Sequence, residues 1–213
     1  MKDIPVFTTE YGVASLLLKE VPYKQVAFVR VHDVQPGQLR NHMDECSAFC
    51  RAAGAERILA SGHEELAMYP LDSIVYKMTL ACEHCEAEDH LWPVTEDTVG
   101  KWREIYNSKM GTFDNHATLT SFDEKNILSS GGAYFVHRDG ILLGIGWMEG
   151  NELLALCSVV SGMGERVARA LFSTVDADQI TLQVVSGNER AIGLYERMGF
   201  VKTAEIRRWY RIK

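Results

Sequence analysis

Leu153-Leu-Ala-Leu-Cys-Ser-Val-Val160 runs into Ser161-Gly162-Met163-Gly164-Glu165-Arg166, and the apolar positions then fall at Val167, Ala168, Leu171 and Val175. An apolar run of this length bounded by glycine reads as a buried strand, and the later spacing reads as one face of a helix. Two glycines at such a strand-to-helix step leave backbone N–H groups exposed at the positive end of the helix. That arrangement suits a phosphate or a diphosphate. A dinucleotide fingerprint would need a third glycine at the position of Val167, and a P-loop would need Gly-Lys-Ser/Thr where the chain has Gly164-Glu165-Arg166. Both nucleotide readings fail.

Working outward, residues 133–137 and 141–148 flank Arg138-Asp139-Gly140, a strong hairpin signal. Gly150-Asn151 turns the chain again into the long strand, expected over 153–160. After the glycine step come a strand over 180–185, a helix over 188–198 and a closing strand over 204–212. Upstream, 92–95 reads as a short strand and 98–110 as a helix with Val99, Trp102, Tyr106 and Met110 on one side. A weaker helix is expected over 120–128. Of the 17 glycines, 11 lie between Gly131 and Gly199, which concentrates tight turns and close backbone approaches there.

Ser186-Gly-Asn-Glu-Arg-Ala-Ile-Gly-Leu-Tyr-Glu-Arg-Met-Gly-Phe200 completes the pattern. Together with Gly162-Met163-Gly164, and over about residues 91–213, the chain resembles the GNAT family of N-acetyltransferases. The resemblance implies an α/β fold of GNAT type, with a mixed, mostly antiparallel twisted sheet flanked by helices. It implies acetyl-CoA as co-substrate, lying where the long strand splays from strand 180–185. Backbone groups of Leu156, Cys157, Ser158 and Val159 would meet the pantetheine arm, and Gly162, Met163, Gly164, Glu165 and Arg166 the diphosphate. Asn188 would help hold the cofactor, and Tyr195 would protonate the departing thiolate. The acetyl group passes to a primary amine by direct attack.

Residue by residue, plainer roles stand beside these. Asn188 is an expected helix N-cap whatever the function. Tyr195 sits at helical spacing from Ala191 and serves equally as a core aromatic. The position that carries Arg or Gln in the family is Val159, the loop is short, and Glu165 sets a negative charge beside the diphosphate, with Arg166 next to it as an offset. These departures support an alternative: a non-catalytic binding module derived from the fold, its pyrophosphate loop eroded. A general base must relieve an ammonium acceptor of its proton, and Glu149 and Glu152, flanking the turn into the long strand, are the candidates.

The five cysteines divide by context. Cys46 and Cys50 belong to an apolar stripe of Leu39, Met43, Cys46, Cys50 and Ala53 in a helix expected over 38–53 that Gly54 ends. Cys82-x-x-Cys85, with His84 and His90 nearby, is one half of a zinc-site spacing without its second pair, so no metal is expected. Cys157 lies mid-strand with no adjacent base in sequence. The acidic stretch Cys82–Asp89 reads as a connector between a smaller α/β unit over 1–85 and the acyltransferase domain over 86–213. In the first unit, strands are expected over 5–9, 13–19, 26–31, 57–60 and 74–80, with a short helix over 63–69. Ile58-Leu-Ala-Ser-Gly-His-Glu64 parallels Leu182-Gln-Val-Val-Ser-Gly-Asn-Glu189, which leaves two readings of the first unit, a degenerate half-copy of the second or a chance likeness of strand–turn–helix segments. In either case it lacks the Gly-x-Gly and is expected to bind no coenzyme A.

The whole chain of 213 residues is 46% hydrophobic and 24% charged, within the range of soluble globular proteins. Its net charge of −7 opposes phosphodiester binding and leaves room for a cationic small substrate. The expected partner is a small-molecule or peptide amine, not nucleic acid and not a membrane. An odd cysteine count without an export signal fits reduced thiols in a cytoplasm.

Overall fold

The computed structural model describes residues 5–81, 88–111, 113 and 116–212. Cys82, His84 and Cys85 fall outside these residues. The chain forms two compact units, one of Met1–Val75 with Glu205–Lys213 and one of Tyr76–Ala204. No helix among the described residues is long and apolar enough to cross a membrane.

In the first unit, β1 (Val6–Thr8), β2 (Gly12–Leu17) and β3 (Val26–Val34) are successive antiparallel strands, with a four-residue helix α1 (Val21–Lys24) between β2 and β3. α1 is absent from the sequence expectation because four residues around Pro22 carry no helical period. Helix α2 (Leu39–Ala52) then crosses to β4 (Arg57–Ser61), parallel to β3. Leu39, Met43, Cys46 and Cys50 of its stripe are all buried in the core of this unit. A 3-10 turn over Glu64–Met68 leads to β5 (Leu71–Ala81), whose first residues belong here.

In the second unit, β6 (His90–Pro93), β7 (Ala133–Arg138), β8 (Ile141–Glu149) and β9 (Glu152–Ser158) pair antiparallel in that spatial order, and β10 (Gln179–Val185) follows parallel to β9. Asp139 and Gly140 both adopt positive φ, the turn that Arg138-Asp139-Gly140 announces. α3 (Val99–Met110) and α4 (Glu124–Ser130) follow β6, and α4 is preceded by a 3-10 turn over Ser121–Asp123. α5 (Gly164–Phe172) and α6 (Glu189–Arg197) flank β10, and β11 (Val201–Arg211) closes the chain. This is the mixed, mostly antiparallel sheet with flanking helices expected of the GNAT type.

Two glycines in β8 place α5. A Cβ on Gly146 would lie 2.0 Å from Leu171 Cδ1, and one on Gly144 2.8 Å from Val167 Cγ2. Both therefore turn toward α5, whereas Ile145 between them packs with Trp102 and Tyr106 of α3. By the alternation of a strand, α3 and α5 cover opposite faces of β8. α5 seats directly on the backbone, so its N-terminus sits at the end of β9.

Candidate active site

β9 and β10 register at only two pairs, Glu152 with Thr181 and Leu153 with Leu182. Beyond them, residues 154–158 and 183–185 run on as strands without pairing to each other. The cause lies on the other edge of β9. Trp147 pairs with Ala155 and Met148 with Leu153, so Leu154 is an extra residue, a bulge that bends the strand at the point where it leaves β10. Between residue 154 and Ser158, β9 stays paired to β8 while its edge toward β10 is left without a strand partner.

The open end of this V meets the glycine step. The strand expected to reach residue 160 ends at Ser158, because the N–H groups of Val159 and Val160 both donate to Leu143 O, at 2.8 and 3.3 Å. Val159 thus has neither the Arg or Gln side chain of the family that the chain resembles nor a free amide. Gly162, two residues past Val160, has φ +82° and open space where a side chain would stand. Met163 is the N-cap of α5 and makes no side-chain cap bond. The amides of Gly164, Glu165 and Arg166, in the first turn, have no intrahelical acceptor. The helix ends at Phe172, one turn short of Val175, because Ser173 and Thr174 turn their hydroxyls back to Ala170 O and Leu171 O.

The charges around this loop are paired differently from the expectation. Glu165 is neutralised by Arg169 one turn on, at 2.9 and 3.0 Å, and not by Arg166. Arg166 instead grips Asp89, with Nε to Oδ2 at 3.0 Å and Nη2 to Oδ1 at 2.7 Å. That fork holds the Asp89 carboxyl below the usual carboxylate range. Asp89 is a site residue that sequence reading missed, since in an acidic connector it carries no signal distinct from its neighbours.

Tyr195 lies on the last turn of α6, which begins at the N-cap Asn188, whose Oδ1 accepts the N–H of Ala191 at 3.1 Å. The preceding residue, Leu194, faces the start of α5, 3.1 Å from a Cβ placed on Gly164. The Tyr195 ring packs on Phe200 at 5.6 Å and the residue is 7% exposed. Its hydroxyl has no hydrogen-bond partner among the described residues. Burial pushes its pKa well above the ordinary phenol range, with the Cys157 thiol adding to the shift. It stays protonated throughout physiological pH. Burial also pushes the Cys157 thiol up to about 12, which leaves it no thiolate character at neutral pH.

Glu149 and Glu152 face each other across the β8–β9 hairpin, at the closed end of the V. Glu152 accepts from Gln183 Nε2 of β10 at 3.1 Å, so it touches both strands at the apex. At a strand's rise per residue it stands ~16 Å along β9 from Cys157. The structure therefore sets α6, which carries Tyr195, against the start of α5 through Leu194 and Gly164, with Glu149 and Glu152 at the apex of the hairpin.

The C-terminal part of the chain, residues 159–210, matches the family model described as FR47-like protein. No curated protein matches the sequence. Among solved structures, a GCN5-related N-acetyltransferase from Kribbella flavida is similar over 98% of this chain and 90% of its own, with a TM-score of 0.58 and 14% identity. One from Sphaerobacter thermophilus covers 93% of this chain and 75% of its own, at 0.58 and 10% identity. A functionally unknown protein from Staphylococcus epidermidis ATCC 12228 covers 99% and 94%, at 0.60 and 11% identity. Identity this low speaks to the fold alone. The fold is that of the GNAT N-acetyltransferases, and the chain resembles that family in its loop and in its closing Asn-to-Tyr segment.

Proposed function

We propose that this protein is an N-acetyltransferase that moves an acetyl group from acetyl-CoA to a primary amine. The observation that carries the reading is the divergence of β9 from β10 after two registered pairs, with the uncapped start of α5 at its mouth. The unpaired edge over residues 154–158 offers backbone groups to the amides of a pantetheine arm. The amides of Gly162, Gly164, Glu165 and Arg166 offer a diphosphate the donors and the helix dipole it needs.

The amine nitrogen attacks the thioester carbonyl, the C–S bond breaks, and the sulfur leaves as a thiolate. Tyr195 gives that thiolate its hydroxyl proton, which burial keeps in place at neutral pH and which no hydrogen bond to another described residue engages. The proton lost by the amine passes to solvent water; Glu149 and Glu152, the carboxylates expected as bases, pair across the hairpin at the apex, too far along β9 to take it through a single water. No acyl-enzyme forms, in keeping with a Cys157 thiol held protonated by burial.

Free thiol release from acetyl-CoA, followed over a panel of small amines, aminoglycosides and peptides, tests the reading. Turnover with at least one amine is expected. Cofactor binding without any turnover would favour the binding-module alternative, which the Val159 substitution in the loop supports.

A further inference from the structure

Arg166 is the third residue of α5 and so occupies the N3 position, with Met163 as N-cap. A long side chain at N3 reaches back to the N-cap backbone; that reach is what lets a glutamate there close a capping box. An arginine so placed is in range of the donors assigned above to the diphosphate. Its guanidinium is turned the other way. Both Nε and Nη2 are committed to Asp89, whose side chain is 5% exposed and is approached by Arg138 Nε at 3.5 Å. Arg138 is in turn held by Glu88 at 2.6 Å. Glu165 and Arg169 are paired with each other, so every charged side chain of α5 has a counter-charge. The loop meets an anion with amides and dipole only.

We infer that Asp89 withholds the Arg166 guanidinium from the diphosphate loop and thereby sets how tightly, and with how much salt dependence, the protein binds coenzyme A. The inference rests on the acetyl-CoA reading above. A cation at a helix N-terminus opposes the dipole, and the carboxylate relieves that opposition. Releasing the fork therefore costs stability while it adds a positive charge where the diphosphate binds. Asp89 trades affinity for a firmly held first turn.

The test is calorimetric titration of the full chain with coenzyme A and, separately, with pantetheine, at low and at high ionic strength. Asp89→Asn keeps the side-chain shape and drops the charge. It is expected to bind coenzyme A roughly tenfold more tightly at low salt, as one added charge near a diphosphate implies. The advantage should shrink at high salt, and pantetheine, which lacks the diphosphate, should bind both proteins alike. The double variant Asp89→Asn/Arg166→Gln is expected to lose the gain. Arg166→Lys is the companion variant should Asp89→Asn fold poorly: it keeps the charge, cannot hold Asp89 bidentately, and should tighten binding in the same direction. Equal or weaker coenzyme A binding in both single variants overturns the inference. So does a gain that persists in the double variant, because the carboxylate's own field would then be acting without Arg166. If the parent and every variant fail to bind coenzyme A, the acetyltransferase reading falls, and that result differs from binding that the substitutions leave unmoved.

Discussion

Both units contain the same connection, a strand joined through a helix to a parallel neighbour, and they differ in how long the two strands stay together. In the first unit β3 and β4 hold five registered pairs, from Val26 with Arg57 to Arg30 with Ser61. In the second, β9 and β10 hold two. The position of one extra residue accounts for the difference. β3 has its bulge at His32, beyond the last pair with β4, since Val13 pairs with Asp33 and Ala14 with Val31. β9 has its bulge at Leu154, immediately after the second pair. A late bulge leaves a closed sheet, and an early one opens a cleft. The loops agree with the strands: in the first unit Gln35 donates its N–H to Tyr11 O at 2.8 Å, and Pro36 has no N–H to offer.

The largest expected difference is in binding. Calorimetry on the whole chain should find one acetyl-CoA site; two sites per chain would break the comparison outright. Next is Tyr195→Phe, which keeps the ring on Phe200 and removes only the proton. Turnover should fall by about 10²–10⁴-fold, the usual effect of losing one general acid, with melting temperature and cofactor affinity nearly unchanged. Unchanged turnover would return Tyr195 to the core.

A smaller effect, on stability, comes from Gly146→Ala. Its new methyl meets Leu171, which is fully buried, and should cost about 1–3 kcal/mol. The melting temperature should drop by about 2–4 °C for each kcal/mol. Gly37→Ala, ahead of α2, has open space around it but φ +73°, so it should cost about 1–2 kcal/mol through backbone strain alone. An unchanged melting temperature in Gly146→Ala would undo the account of how that helix is placed.

The smallest effect is pH-dependent and belongs to the first unit. Thr9 Oγ1 accepts the N–H groups of Tyr11 and Gly12, so its own proton goes to His42 Nδ1 at 2.8 Å, which makes His42 the neutral tautomer with its proton on Nε2. Burial lowers the His42 pKa. Its contribution to stability is therefore complete above the ordinary histidine value of about 6.5 and is lost as pH falls below it toward the folded-state value. Melting temperatures measured between neutral and mildly acid pH should decline more steeply in the parent than in His42→Leu; parallel curves would remove His42 from the balance.

What could be read from residues alone was whatever is local. The α2 stripe, the Arg138-Asp139-Gly140 turn and the glycine start of α5 follow from period and backbone preference within a few residues. Two kinds of feature escaped. One is the bulge at Leu154, where nothing in Leu153-Leu-Ala-Leu announces an extra residue, because a bulge is a property of the pair and not of one strand. The other is pairing at a distance, as between Arg166 and Asp89, for which an acidic connector offers several equivalent carboxylates. The two glycines spaced by two in β8 were a legible sign of close helix approach that the reading left unused.

β11 ends in the first unit, where Tyr210 pairs with Ala60 and Arg211 reaches Pro70 O at 2.9 Å and Asp72 at 2.6 Å. While the chain is being made, that unit waits for its last strand until the ribosome has added everything between Val75 and Glu205. At ~5–20 residues per second the delay is on the order of ten seconds. Through that interval the free edge of β4 is an unpaired strand, open to wrong partners. Slow codons placed between the two halves of unit one lengthen that exposure without touching a single residue of the site.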